Sequence, residues 1–130
     1  MPGIYVHIPF CRKACFYCDF HFTVSFRNKD ILIDTISREI DLRMNYLGNE
    51  VVDTIYFGGG TPSVLSVEEI SFLLSRIHSS YNIAGNPEIT IEANPDDLTE
   101  DYLYSLIEKT PVNRIHIIAF ILQLICFYNF

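Results

Sequence analysis

Apolar and polar residues alternate from Ile4 to Ile8, with Ile4, Val6 and Ile8 on one side of an extended chain and Tyr5 and His7 on the other. That period of two predicts a strand, which breaks at Pro9. The same alternation returns over Val51–Phe57, where Ile55 and Phe57 oppose Thr54 and Tyr56. It returns again over Glu88–Ala93, where Ile89 and Ile91 oppose Glu88, Thr90 and Glu92. A fourth strand begins at Asn113 and runs to the neighbourhood of Ala119. Between strands the period changes to that of a helix. Ile33, Ile36, Ile40, Met44 and Leu47 predict a helix over Asp30–Leu47, stopped by Gly48-Asn49. Ser66 opens a second helix with Ile70, Leu73, Leu74, Ile77 and Tyr81 inward. Ser66 and Glu69 form a capping box, and Leu65 with Ile70 a hydrophobic staple. Asn82–Pro87 reads as a turn. Thr99 caps a third helix that turns Leu103, Leu106 and Ile107 inward, with Leu98 and Leu103 as its staple.

The order β-α-β-α-β-α-β, with long helices between short strands, implies right-handed crossovers and a parallel sheet. The fold class is α/β. A sheet covered on both faces would be apolar on both. One apolar and one mixed face suits a barrel-like sheet with outer helices and a ligand-bearing interior. In such proteins ligands bind at the carboxyl ends of the strands. Three unusual sequences fall there: a cysteine-rich loop after strand one, Gly58-Gly59-Gly60-Thr61-Pro62 after strand two, and Glu92-Ala93-Asn94-Pro95 ending strand three.

A chain of 130 residues is expected to form one domain. Sixteen acids against nine bases give a net charge of −7 without a basic cluster, which argues against a nucleic-acid partner. Met1–Phe10 has no basic segment before an apolar core, so no secretory signal is expected. Cysteines bunched at ligand spacing, not paired as a framework, suggest a reducing cytoplasm. Residues 115–130 are apolar at 13 of 16 positions, short of the roughly 20 that a membrane helix needs, so no membrane span is expected. Their uncharged, β-prone character is an aggregation hazard.

The chemistry concentrates in Cys11-Arg12-Lys13-Ala14-Cys15-Phe16-Tyr17-Cys18. A looped segment can bring Cys11, Cys15 and Cys18 to one point, which suits a soft metal centre, iron–sulfur or zinc. Structural zinc wants a fourth ligand, usually from a second pair, and the remaining cysteine, Cys126, lies 108 residues beyond Cys18. A [4Fe–4S] cluster on three thiolates leaves one iron open to a small molecule. Gly58-Gly59-Gly60 lacks the Gly-Lys-Ser/Thr end of a phosphate loop and, taken alone, is a flexible turn.

Cys-x3-Cys-x2-Cys, with Gly3–Pro9 before it and Tyr56–Pro62 after it, resembles the radical S-adenosylmethionine (SAM) cluster loop of the oxygen-independent coproporphyrinogen III oxidase family. The resemblance runs from Gly3 to Arg114 and implies the amino-terminal part of a partial TIM-type barrel. It implies Cys11, Cys15 and Cys18 as cluster ligands, and SAM contacts from Tyr5, Tyr17, Gly59, Gly60, Thr61 and Glu92. It implies SAM cleavage by one electron from the cluster, and hence an electron donor. No residue is assigned a catalytic role. True oxidases of the family carry a cysteine two residues after the third ligand. Here that position is Phe20, and Cys18-Asp19-Phe20 resembles the family's heme-chaperone branch, which makes heme or a porphyrin a further ligand. His21 is a candidate contact for it, His7 is a satisfied core histidine or supports the site from behind, and His78 reads as helix surface. Arg12 and Lys13 either place positive charge beside an anionic cluster or form a solvated loop face. Residues 1–114 are read as the domain's first part. Residues 115–130 depart from the family's small-polar and glycine pattern and read as an aberrant tail, truncated or frameshifted. The alternatives to a chaperone-type protein are an oxidase decarboxylating coproporphyrinogen III or a non-functional product.

Overall fold

The computed structural model describes residues 2–12 and 22–118. The elements are β1 (Gly3–Ile8), α1 (Lys29–Leu42), β2 (Val52–Gly59), α2 (Val67–Ser80), β3 (Ile83–Ala93), α3 (Glu100–Lys109) and β4 (Arg114–Ile117). Single 3₁₀ turns at Pro62–Val64 and Pro95–Asp97 follow β2 and β3. The strands form one sheet in the order β1-β2-β3-β4, every neighbouring pair parallel. All four carboxyl ends therefore lie on one rim.

Register explains the burial. Ile4 pairs with Ile55 and Ile55 with Ile89; Val6 pairs with Phe57, Phe57 with Ile91 and Ile91 with Ile115. These rows make a continuous apolar face. Val6, Ile8, Ile55, Phe57, Ile89 and Ile91 are buried in one cluster with Ile33 and Ile40 of α1, Ile70, Leu73, Leu74 and Ile77 of α2, and Leu106 of α3. Removing each such side chain from water contributes roughly 1.5–3 kcal/mol. On the opposite face Tyr5, His7, Thr54, Glu88 and His116 are exposed, and Tyr56 and Glu92 half-buried. The helices thus cover one face only, as the alternation predicts.

The caps are those expected. Ser66 Oγ accepts from Glu69 N at 3.1 Å while Glu69 Oε2 accepts from Ser66 N at 2.7 Å. Lys29 Nζ lies 2.9 Å from Glu69 Oε1, tying the start of α1 to the start of α2. Thr99 Oγ1 accepts from Tyr102 N at 3.2 Å. Buried Leu65 and Ile70 are placed as a staple requires.

Four details differ. β2 runs on to Gly59, so Gly58 and Gly59, expected after the strand, pair with His7 and Ile8 inside it. α1 ends at Leu42, not Leu47, and turns occupy residues 43–49. Met44 is half exposed there, so its helical spacing has no surface to pack on. β3 starts at Ile83, inside the expected turn. Val52 pairs with Ile83 and donates to Asn82 O at 2.8 Å, and an irregularity between Val52 and Thr54 absorbs the turn-forming residues. Ile107, expected inward, is 71% exposed, because α3 commits only Leu106 to the core. Ala119 and the rest of the apolar tail, Cys126 included, lie outside the described residues. Among the described residues no helix is long and apolar enough to cross a membrane.

Leu73→Ala should destabilise the chain by about 2–5 kcal/mol, because Leu73 is fully buried between α2 and the sheet. Ile107→Ala should cost less than about 0.5 kcal/mol. Denaturant unfolding of both variants checks this; comparable losses would return Ile107 to the core.

Candidate functional site

The site begins where β1 runs out. Cys11 N donates to Thr23 O at 3.0 Å and Thr23 N donates to Pro9 O at 2.8 Å. This bridge, with the Phe10 ring stacked on Phe26 at 5.6 Å, closes the neck of the cysteine loop. Cys11 stands half-buried at the neck, and Thr61 Oγ1 donates toward its Sγ at 3.7 Å. Cys15, Tyr17, Cys18, Phe20 and His21 lie outside the described residues.

Beside the neck runs the glycine loop. Gly60 N donates to Ile8 O and Thr61 N to Phe10 O, each at 2.7 Å, so this backbone continues the pairing of β2 with β1 into the loop. A Cβ on Gly60 would sit 2.6 Å from Phe10 O and 3.0 Å from Cys11 Sγ. Gly59 adopts φ +113°, and a Cβ there would meet the His7 ring at 2.6 Å. A side chain at Gly60 would push the loop away from β1, and at Gly59 the positive φ itself disfavours one.

Glu92 lies on the helix-free face. Its Oε2 accepts from Gly59 N at 3.1 Å and its Oε1 from the Tyr56 hydroxyl at 2.7 Å. Tyr56 Oη is also 3.0 Å from His116 Nδ1. The single tyrosine proton goes to Glu92, so His116 is assigned the Nδ1–H tautomer and donates. Tyr5 stacks on Tyr56 with ring centroids 6.0 Å apart, and its hydroxyl is 3.3 Å from His7 Nδ1. Burial, the hydrogen bond to Glu92 and the Glu92 charge push Tyr56 up to about 12. Tyr5 is raised by burial and then by the Glu92 charge.

Gly59, Gly60, Thr61, Glu92 and Cys11 thus gather at the carboxyl ends of β1, β2 and β3, while Tyr5 lies within β1, paired with Tyr56. His7 is exposed and packs on Gly59, which differs from the expectation of a core histidine. His78 is at the helix surface, its Nδ1 2.8 Å from Leu74 O. His116 was not anticipated; its place among alternating Arg114-Ile115-His116-Ile117 is the signal that puts it on the polar face. Arg12, expected to stand beside an anionic cluster or on a solvated loop face, is largely exposed, and its Nε lies 2.5 Å from Asp97 Oδ1. Of the three cysteines only Cys11 lies among the described residues, and what surrounds it leaves its sulfur room for a ligand. Gly60 keeps the space next to Cys11 Sγ clear of any side chain, and one strand over stands a carboxylate able to receive a cationic group.

A family model described as the Radical SAM superfamily matches residues 5–119. The chain is 35% identical over 120 residues to the heme chaperone HemW of Buchnera aphidicola subsp. Schizaphis graminum, covering 88% of this chain and 31% of that protein. It is 35% identical over 117 residues to the oxygen-independent coproporphyrinogen III oxidase of Synechocystis, covering 87% and 25%. The solved structure of the Escherichia coli coproporphyrinogen III oxidase HemN, described as a radical SAM enzyme, superposes with a TM-score of 0.80 at 32% identity, covering 88% and 27%. The chain therefore spans a quarter to a third of these relatives.

The Tyr56–Glu92 contact has a pH signature. A raised tyrosine favours the neutral form in the fold, so its contribution is complete below pH ~10, the ordinary tyrosine value, and is lost as pH rises through about 12. In Glu92→Gln, Tyr56 should titrate lower than in the parent but still above the ordinary value, because burial, the largest cause, remains. Titration of ¹³Cζ-labelled tyrosine by NMR reads this directly. An unmoved Tyr56 would mean that the carboxylate does not hold it.

Proposed function

The chain belongs to the radical SAM superfamily, and on that footing we propose that it carries the cluster- and SAM-binding part of a heme-chaperone-type protein. Its ligands are a [4Fe–4S] cluster and SAM, with heme as the cargo and a separate protein as electron donor. Cys11, Cys15 and Cys18 hold the cluster. When bound, the cluster supplies one-electron cleavage of SAM. The observation that carries the reading is Glu92, held by Gly59 N and Tyr56 on the helix-free face and close to the neck that presents Cys11.

In this reading the residues divide the work. Gly59 and Gly60 let a ligand approach the backbone, and Thr61 supports Cys11 from the side. Glu92 receives the amino-acid or ribose end of SAM. Tyr5, on top of Tyr56, takes the carboxylate end, and Tyr17 packs near the adenine. The helix-free face excludes water once the ligand lies on it. The identities to relatives of the two names overlap, so overall likeness does not separate chaperone from oxidase. Phe20 does, because it stands where an oxidase of this family carries a cysteine. We assign residues 1–114 to the amino-terminal part of the radical SAM core; of the apolar run 115–130, residues 115–117 pair with β3 as part of β4. The reducing cytoplasm is the compartment in which three cysteines stay reduced to receive the cluster.

Anaerobic iron–sulfide reconstitution should load about four irons per chain, and Cys15→Ser should lose most of them. The loaded chain should bind SAM in calorimetry, with affinity reduced at least about tenfold in Glu92→Ala, ~1.4 kcal/mol. Full iron in Cys15→Ser, or equal SAM affinity in Glu92→Ala, would reject the respective role. Release of carbon dioxide from coproporphyrinogen III, with no spectral response to heme, would favour the oxidase.

A further inference from the structure

A carboxylate with only 2% of its side chain exposed stands behind the rim. Asp97 Oδ1 accepts from Arg12 Nε at 2.5 Å, and Asp97 Oδ2 accepts from Ser63 Oγ at 2.7 Å. Ser63 Oγ, itself buried, accepts in turn from Asn94 N at 3.0 Å. These residues come from three different loops. Arg12 follows Cys11 in the loop after β1, Ser63 belongs to the turn after the glycine loop, and Asn94 and Asp97 follow Glu92 at the end of β3.

The chemistry of the three is complementary. An ionised carboxylate that deep is stable only when both oxygens are satisfied and a cation is near. Ser63 and Asn94 are fixed by the backbone of the short turns they begin or occupy. Arg12 is the one partner with a mobile stem: 61% of its side chain is exposed, and it reaches Asp97 across 85 positions of sequence. Satisfying Asp97 therefore requires the chain at Arg12 to be brought down onto the third loop, and with it the neighbouring Cys11. Neither the Cys11–Thr23 bridge nor the Thr61–Cys11 contact does this, since both join the neck only to itself and to β2.

We propose that Arg12, Asp97 and Ser63 form a clasp that fastens the neck at Cys11-Arg12 to the end of β3, and so fixes Cys11 relative to Glu92. Asp97 and Arg12 are positioning residues: they act through the loop and touch neither cluster nor SAM. The clasp keeps the Arg12 guanidinium turned to Asp97, leaving Thr61 and the Gly60 backbone as the neighbours of Cys11. The part of the proposal that concerns the cluster rests on the function proposed above; the fastening of the neck does not.

Hydrogen exchange on the full chain without metal tests the clasp itself. In Arg12→Ala the amides of Cys11 and Thr23 should exchange about tenfold faster, while those of Ile55 and Ile89 in the central strands stay unchanged. Asp97→Asn should do the same, and Arg12→Ala with Asp97→Asn should be no worse than either alone, as a single unit requires. Arg12→Lys, which restores the charge, should recover part of the protection. After reconstitution the same variants should release iron to a chelator about tenfold faster than the parent, tracking the neck amides and not the global unfolding midpoint. Unchanged neck amides in Arg12→Ala, additive losses in the double variant, or acceleration spread equally over the central strands would overturn the clasp. A parent chain that takes up no iron would instead reject the cluster reading, and the neck amides would still decide the clasp.

Discussion

Ile4, Ile55 and Ile89 lie side by side across three parallel strands, and Val6, Phe57 and Ile91 form the next row. The helices pack on these rows, and the sheet can present them in one register only, because a slip by one residue would turn every isoleucine to the bare face. The same constraint determines the chemistry. Once the apolar residues are committed to the helices, the period of two delivers Tyr5, Tyr56 and Glu92 to the side that no helix covers. The polar residues there meet one another: Tyr56 donates to Glu92 and Tyr5 stacks on Tyr56. Packing energy on one face thus orders a polar surface on the other, and parallel connection sends every strand end, with its loop, to the same rim.

How much of this was legible in the sequence depends on whether a feature is local. The strand faces, the Ser66–Glu69 box and the side on which Glu92 lies follow from spacing alone. The end of α1 does not, because Met44 keeps a helical spacing without a surface to receive it and Leu47 reaches the core from a turn, not from a helix. The start of β3 was hidden for the converse reason. Gly85, Asn86 and Pro87 favour a turn locally, but pairing of Val52 with Ile83 extends the strand across them. His116 is legible in principle from alternation in β4, but the apolar residues that follow it break the period of two and hide the register. The Arg12–Asp97 pair was not legible at all, since nothing in either segment points to a partner 85 residues away.

The rim is also where departures from good local structure accumulate. Gly59 takes a φ of +113°, a conformation that side chains rarely adopt, and Gly60 sits where any Cβ would strike Phe10 O. Asp97 is a buried carboxylate in a protein that places its other acids mainly outside. A fold needing only stability would do better with a well-packed apolar residue than with a buried ion pair. Such features persist where they hold something in place: Gly60 adjoins Cys11, Gly59 bonds Glu92, and Asp97 holds Arg12, the residue after Cys11.

The opposite margin of the sheet shows what remains uncovered. Leu103, Ile107, Val112 and Ile115 line a cavity of about 420 Å³ between α3 and β4. Ile107 is 71% exposed and Ile117 53%. Beyond β4, among the described residues, no further strand pairs with its open edge. In a sheet curving toward a barrel, this is the position at which another strand and its helix would pack, covering Ile107 from the side and pairing the edge. The relatives have three to four times the length of this match, enough chain to supply those units. The exposed isoleucines on α3 and β4 are thus explained by the same logic as the buried ones: they belong to the helix-covered side of the sheet, at the place where the described cover stops.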